Sequence, residues 1–169
     1  FMQSMLIYDL LKQIEKNISS NLYYTALFTA LTIPDIGGAV DSENGIATGK
    51  KYIAWFDNYV APRFYGFNKQ FITGKDCYLY RCAMLHQGRS YASNGRYSKT
   101  IFLVTKQRNI TYCGGAFTVE NGKTLCIDVA HFCILIIKST YGWLEKVEQT
   151  DRFKKNSAMF LELFNLVIQ

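Results

Sequence analysis

Proline is nearly missing from this chain, with 2 in 169 residues, and no stretch is rich in proline or serine. That excludes a disordered or low-complexity chain and leaves no linker in view. No internal repeat is present either, so residues 1–169 are expected to fold as one domain. Long apolar runs are also absent. The longest, Phe132 to Ile137, is far short of the roughly 20 residues a membrane helix needs, so no membrane partner is expected. No secretory leader opens the sequence; Phe1 is not an initiator, and Met2 or Met5 are the candidate starts. Cys77, Cys82, Cys113, Cys126 and Cys133 are odd in number, form no C-x-x-C pair and show no metal-type spacing with histidine. They read as idle thiols of a reducing compartment, and the cytoplasm is the expected location. Neither a metal nor a cofactor is expected. Gly45 and Gly49-Lys50 faintly suggest a phosphate loop, but the spacing is one residue short, Lys51 stands where Ser or Thr belongs, and no strand leads in.

Acidic residues are missing from one long window. Between Cys77 and Val119 there are none, while Arg81, Arg89, Arg96, Lys99, Lys106 and Arg108 all fall there. The chain carries 19 Lys+Arg against 13 Asp+Glu, so removing those six basic residues leaves 13 against 13. The whole net charge of +6 therefore belongs to this window. Such a region suits an anionic partner, RNA in particular, with Arg89, Arg96, Lys99, Lys106 and Arg108 as candidate nucleic-acid-binding residues. The other reading is a solvated basic surface.

What is plentiful is apolar and aromatic. A hydrophobic content of 49%, with 12 Phe, 12 Tyr and 2 Trp, is ample for a sizeable core. Leu6, Ile7, Leu10, Leu11, Ile14 and Ile18 recur at helical spacing. Ser20 or Asn21 is the expected cap of a second helix, with Tyr23, Ala26, Leu27, Ala30 and Leu31 on its apolar face. Pro34 is expected to kink or end that helix near Ile33. A third helix, Ala47 to Tyr59, would bury Tyr52, Trp55, Phe56 and Tyr59. Arg63 to Phe71 reads as an aromatic-rich connection, and Arg89 to Thr100 as a polar loop, substrate-facing or merely mobile.

Ile101 to Thr105 is a strand candidate, and Ala116–Val119 and Thr124–Ile127 flank the hairpin signal Asn121-Gly122. A small antiparallel sheet is therefore expected as an insertion at about 101–127. Asp128 should cap a long helix with Val129, Phe132, Cys133, Ile136, Ile137 and Leu144 inside. A last amphipathic segment carries Phe153, Met159, Phe160, Leu163, Phe164 and Val167. The sum is a mainly α fold, a bundle of five or six helices with a β-hairpin inserted between the fourth and fifth.

The stretch around which the rest is arranged is Thr73 to Gly88. Thr73 is a good N-cap with Asp76 three residues on, and Gly88 a natural C-terminal stop. Inside lie Arg81 and His86, the one pairing in the chain that looks like chemistry. An arginine, four intervening residues and a histidine near the end of a helix in a helical bundle resemble the signature of the HEPN superfamily. Together with Pro34-Asp35-Ile36-Gly37-Gly38, Tyr52-Ile53-Ala54-Trp55 and Tyr80–Gly88, the chain also resembles an uncharacterised family of bacterial proteins of about this length.

The HEPN resemblance implies a metal-independent endoribonuclease, in a toxin or phage-defence setting, with Arg81 and His86 catalytic and the site shared across a homodimer. In that chemistry an imidazole moves a proton at the ribose 2′-OH or the leaving 5′-oxygen, and a guanidinium stabilises charge on the scissile phosphate. The alternative is a non-catalytic helical domain binding RNA or a protein. Arg81 borders Cys77, Tyr80 and Met84, so a structural arginine paired with Asp35 or Asp57 is its other role. An ideal helix also turns roughly 140° past a full turn between Arg81 and His86, which sets them on different faces. His131, the only other histidine, reads as structural or exposed.

Overall fold

The computed structural model describes residues 5–66, 69–91, 94–105 and 116–163. Helix α1, Met5–Ser19, buries Ile7, Leu11 and Ile14 along one stripe. Asn21 ends it rather than capping a second helix. Its φ is +59°, and the next amide, of Leu22, donates back to the Asn17 carbonyl at 2.8 Å. Asparagine tolerates that left-handed conformation. Helix α2, Tyr23–Val40, then starts from Leu22 with no side-chain cap, so neither Ser20 nor Asn21 has the expected role.

Helix α2 continues past Pro34 to Val40, so the proline does not end it. The reason is tertiary. A Cβ on Gly37 would lie 2.4 Å from the Trp55 indole, and one on Gly38 would lie 2.8 Å from the Lys51 backbone. Gly37 and Gly38 are thus where α2 and the third helix, α3 (Gly49–Tyr59), lie in closest contact. Burial of that contact outweighs the hydrogen bond proline removes and the poor helix propensity of two glycines.

Thr48 caps α3 by accepting from the Lys51 amide, and the helix buries Tyr52, Trp55 and Phe56, whereas Tyr59 is only partly covered. A short 3-10 turn, Ala61–Arg63, and a two-residue ladder, β1 (Tyr65–Gly66) with β2 (Lys69–Gln70), occupy the aromatic-rich connection. Helix α4 spans Gly74–Gln87.

Three strands come next: β3 (Lys99–Leu103), β4 (Ala116–Val119) and β5 (Thr124–Asp128). The hairpin of β4 and β5 is antiparallel and turns through Glu120 and Asn121, both at positive φ. The sheet as a whole is not antiparallel. Its order is β3-β5-β4, and β3 pairs parallel with β5. Strand β5 is central, and Thr124, Leu125, Cys126 and Ile127 are all buried, which suits an unbroken run rather than an alternating one.

Helix α5, Val129–Val147, is capped by Asp128, which accepts from the His131 amide at 2.7 Å. It buries Val129, Phe132, Cys133, Ile136, Ile137 and Leu144 as expected. Helix α6, Asp151–Ser157, is shorter than the amphipathic pattern suggested. Phe153 is buried, Met159 and Leu163 are exposed, and Phe164 and Val167 lie outside the described residues. The fold is mainly helical with a small three-stranded sheet. Among the described residues no helix is long and apolar enough to cross a membrane.

Two groups of rings sit in the core. Phe153 and Trp55 both contact Trp143, while Phe64 and Phe102 meet at Phe132. Phe102 continues to Tyr80 at 5.1 Å between centroids. Tyr80 is the residue before Arg81, so the core holds α4 next to that arginine.

Candidate functional site

Local chemistry defines both ends of α4. The Thr73 hydroxyl accepts from the Asp76 amide at 3.2 Å, and Asp76 accepts in return from the Thr73 amide at 3.0 Å. This reciprocal box satisfies donors that a helix start otherwise leaves open. Asp57 of α3 accepts from the Gly74 amide at 2.6 Å, and a Cβ on Gly74 would meet the Ile53 carbonyl at 2.4 Å. Asp57 therefore holds the helix start and is not the partner of Arg81. At the other end Gly88 takes φ +63°, and the amides of Gly88 and Arg89 close on Met84 and Ala83.

The partner of Arg81 is Asp35 of α2. Arg81 Nη2 lies 2.7 Å from Asp35 Oδ2, and Nε donates to the same oxygen at 3.0 Å. The two side chains are 20% and 22% exposed, so the pair is largely withdrawn from solvent without being sealed. Burial lifts the Asp35 carboxyl above its ordinary range, with the Arg81 guanidinium pulling it back. Burial works against the charge of Arg81 in turn, but Asp35 and then Cys82 outweigh it and raise its pKa, so it stays cationic.

The third nitrogen of Arg81, Nη1, lies 3.2 Å from His86 Nε2, and His86 is exposed. The residues thus meet within one intact helix, without the unwinding or second subunit that a helical wheel calls for. A wheel places Cβ atoms; the guanidinium sits at the end of a long flexible stem and reaches along the axis. Since arginine has no acceptor, the contact requires a lone pair on His86 Nε2. The result is a row of carboxylate, guanidinium and imidazole, Asp35–Arg81–His86, tying α2 to the end of α4.

Beneath the row, the Tyr52 hydroxyl lies 3.3 Å from Cys77 Sγ and donates to the Leu31 carbonyl. Burial pushes the Cys77 thiol up to about 12, and that of Cys133 likewise to about 12, so neither supplies a thiolate. Cys82 is partly exposed beside Tyr78, whose pKa its hydrogen bond raises.

The basic candidates separate. Arg89 is exposed just beyond the end of α4. Lys99 places its ammonium 5.3 Å from the centre of the Tyr91 ring. Arg96 is tied into the fold: it pairs with Asp76 at 2.7 Å, donates to the Phe71 carbonyl at 2.6 Å and stacks over Tyr97. Part of the polar stretch after α4 thereby folds back onto the helix start. Lys106 and Arg108 lie outside the described residues. His131 packs its ring edge-on to Phe64 at 6.3 Å, away from Arg81.

Among the described residues, no three His, Cys, Asp or Glu side chains come together in a way that could hold a metal ion. A concavity of about 520 Å³ lined by Gly38, Asp41, Lys51, Trp55 and Asn58 excludes both Arg81 and His86. Asp35 was legible in the sequence as a partner for Arg81, though not above Asp57. Compared with protein-family models, with curated proteins and with solved structures, the chain matches none.

Proposed function

We propose that the chain is a HEPN-like, metal-independent endoribonuclease in which Arg81 and His86 form the catalytic pair, acting in the cytoplasm as a homodimer in a toxin or phage-defence setting. The observation that carries this reading is the 3.2 Å contact between Arg81 Nη1 and an exposed His86 Nε2, on a helix fixed at both ends. Asp35 holds the guanidinium by Nε and Nη2, leaving Nη1 as the donor that a substrate can claim. A phosphate oxygen taking Nη1 would free the lone pair of His86 Nε2. That lone pair then accepts the proton of a ribose 2′-OH as O2′ attacks phosphorus. The P–O5′ bond breaks, the leaving oxygen takes up a proton from water, the imidazole returns its own proton to water, and the products are a 2′,3′-cyclic phosphate and a 5′-hydroxyl end.

Incubation of the pure protein with mixed RNA in EDTA, beside His86→Ala, tests the reading. Fragments ending in 2′,3′-cyclic phosphate from the unaltered protein alone are expected. Equal cleavage by both proteins, or none by either, overturns it. Light scattering at micromolar concentration tests the dimer, and a monomer mass would remove a shared site.

One observation favours a second reading, a non-catalytic helical domain that binds RNA or a protein. Two of the three Arg81 nitrogens face Asp35, and four-fifths of the side chain is covered, as a structural tie between α2 and α4 requires. If Arg81→Ala loses stability but RNA is never cut, this reading stands.

A further inference from the structure

Helix α2 leaves two large aromatic residues in solvent. Tyr24 is 80% exposed and Phe28 40%, with ring centroids 6.4 Å apart. They are aligned with the proposed site. At 100° per residue, Tyr24, Phe28 and Asp35 fall within about 40° of one another on the helix surface. Eleven residues make just over three whole turns, so Tyr24 and Asp35 stand nearly in line. Along the axis Phe28 is about 10 Å and Tyr24 about 16 Å from Asp35. Tyr24 is also within electrostatic reach of Tyr80, the neighbour of Arg81 on α4.

Charge along this line suits a polyanion. Asp35 is the only Asp, Glu, Lys, Arg or His of α2, and Arg81 neutralises it. The positive group at the Asp35 end of the line is Arg81, and the exposed Arg89 follows α4 in the chain. A neutral aromatic line ending at a guanidinium and an imidazole combines two features that hold single-stranded nucleic acid: faces on which bases stack, and donors for the phosphates. Duplex RNA offers no free base faces to such a surface.

We infer that Tyr24 and Phe28 form a base-stacking platform that delivers single-stranded RNA, without strong sequence preference, to the phosphate position between Arg81 and His86. This rests on the nuclease reading for the fate of the RNA but not for its binding.

The two are separated by measuring binding in a His86→Ala background, with a fluorescently labelled single-stranded oligoribonucleotide followed by anisotropy. Adding Tyr24→Ala or Phe28→Ala is expected to weaken binding about tenfold or more each, while Tyr24→Phe stays within about twofold. The same strand annealed to its complement should bind more weakly than the free strand. Tyr24 is too exposed for its removal to unfold the helix, and circular dichroism checks Phe28→Ala. Unchanged affinity in both alanine variants, or equal affinity for duplex, overturns the platform even if RNA is cleaved. Affinity that depends on the aromatics while no cleavage occurs supports the platform and removes only the nuclease. If the alanine variants instead turn a dimer into a monomer without touching RNA affinity, the face belongs to a second copy of the chain and the platform is wrong.

Discussion

Arg81 Nη1 and His86 Nε2 lie 3.2 Å apart across five residues of unbroken α-helix, with the arginine held from behind by Asp35. In this contact the guanidinium, which has no acceptor, can only donate. In the nuclease proposed above, a phosphate would be the third party, accepting from the guanidinium and leaving the imidazole free to take a proton.

His86 and Arg81 should therefore part company under mutation. His86 is exposed and ends a helix, so His86→Ala is expected to change stability by no more than about 0.5 kcal/mol. Chemical denaturation measures this, and a large loss would show that the imidazole has a structural role.

Arg81→Ala leaves Asp35 half-buried without its cation. A loss of about 1–3 kcal/mol is expected, below the cost of stranding a fully buried charge because both partners keep some contact with water. Arg81→Lys should recover only part of it, since lysine cannot direct two donors at one oxygen and a third at His86. A lysine variant as stable as the native protein would exclude the fork as the stabilising feature.

The raised pKa of Asp35 fixes the sign of a pH effect. Folding favours its protonated form, so its contribution to stability is fully present below its ordinary value of 3.8 and is lost as pH rises through the higher folded value. Unfolding curves of the native protein and Asp35→Asn, compared at acid and neutral pH, should show the native advantage shrinking as pH rises. A widening advantage would mean that attraction to Arg81 outweighs burial.

Among the basic residues, Arg89→Glu and Lys99→Glu should weaken RNA binding while leaving the melting temperature nearly unchanged, and the affinity should fall steeply with salt. Arg96→Ala should behave in the opposite manner, lowering stability by about 1 kcal/mol because it releases Asp76 and the Phe71 carbonyl. Salt-independent binding would reduce the acid-free window to a solvated face.

Gly37→Ala is predicted to cost about 1–3 kcal/mol, as the new methyl lands 2.4 Å from the Trp55 indole. Gly74→Ala should cost at least as much, because its neighbour is the Ile53 carbonyl, and backbone yields less readily than a side chain. Thermal melts of the two variants decide this, with unchanged midpoints arguing against close α2–α3 and α3–α4 contact.

The parts of the fold legible in sequence were those set by neighbours in sequence. Thr73, Asp76 and Gly88 mark α4 because a capping box and a left-handed stop are local devices. Asp128 and the turn after Val119 were readable for the same reason. Pro34 could not show whether the helix goes on, because what carries it on, the packing of Gly37 and Gly38 on α3, comes from elsewhere in the chain. The parallel pairing of β3 with β5 was hidden likewise, since no turn signal records which strand a segment joins after a long excursion. At the site, residue types were legible and reach was not. The wheel separated Arg81 from His86, and nothing local distinguished Asp35 from Asp57 or set Arg96 apart from Arg89.

Strand β5 ends at Asp128 and α5 begins at Val129, with no residue between them. The chain consequently has no slack at that junction. One added residue there would turn α5 by about 100° and carry Phe132, Cys133 and Ile136 out of the core. On the other side of β5, the turn at 120–123 has open space around Gly122 and could lengthen without moving either strand. An epitope tag belongs in that turn, and natural length variation should gather there and stop short of Asp128.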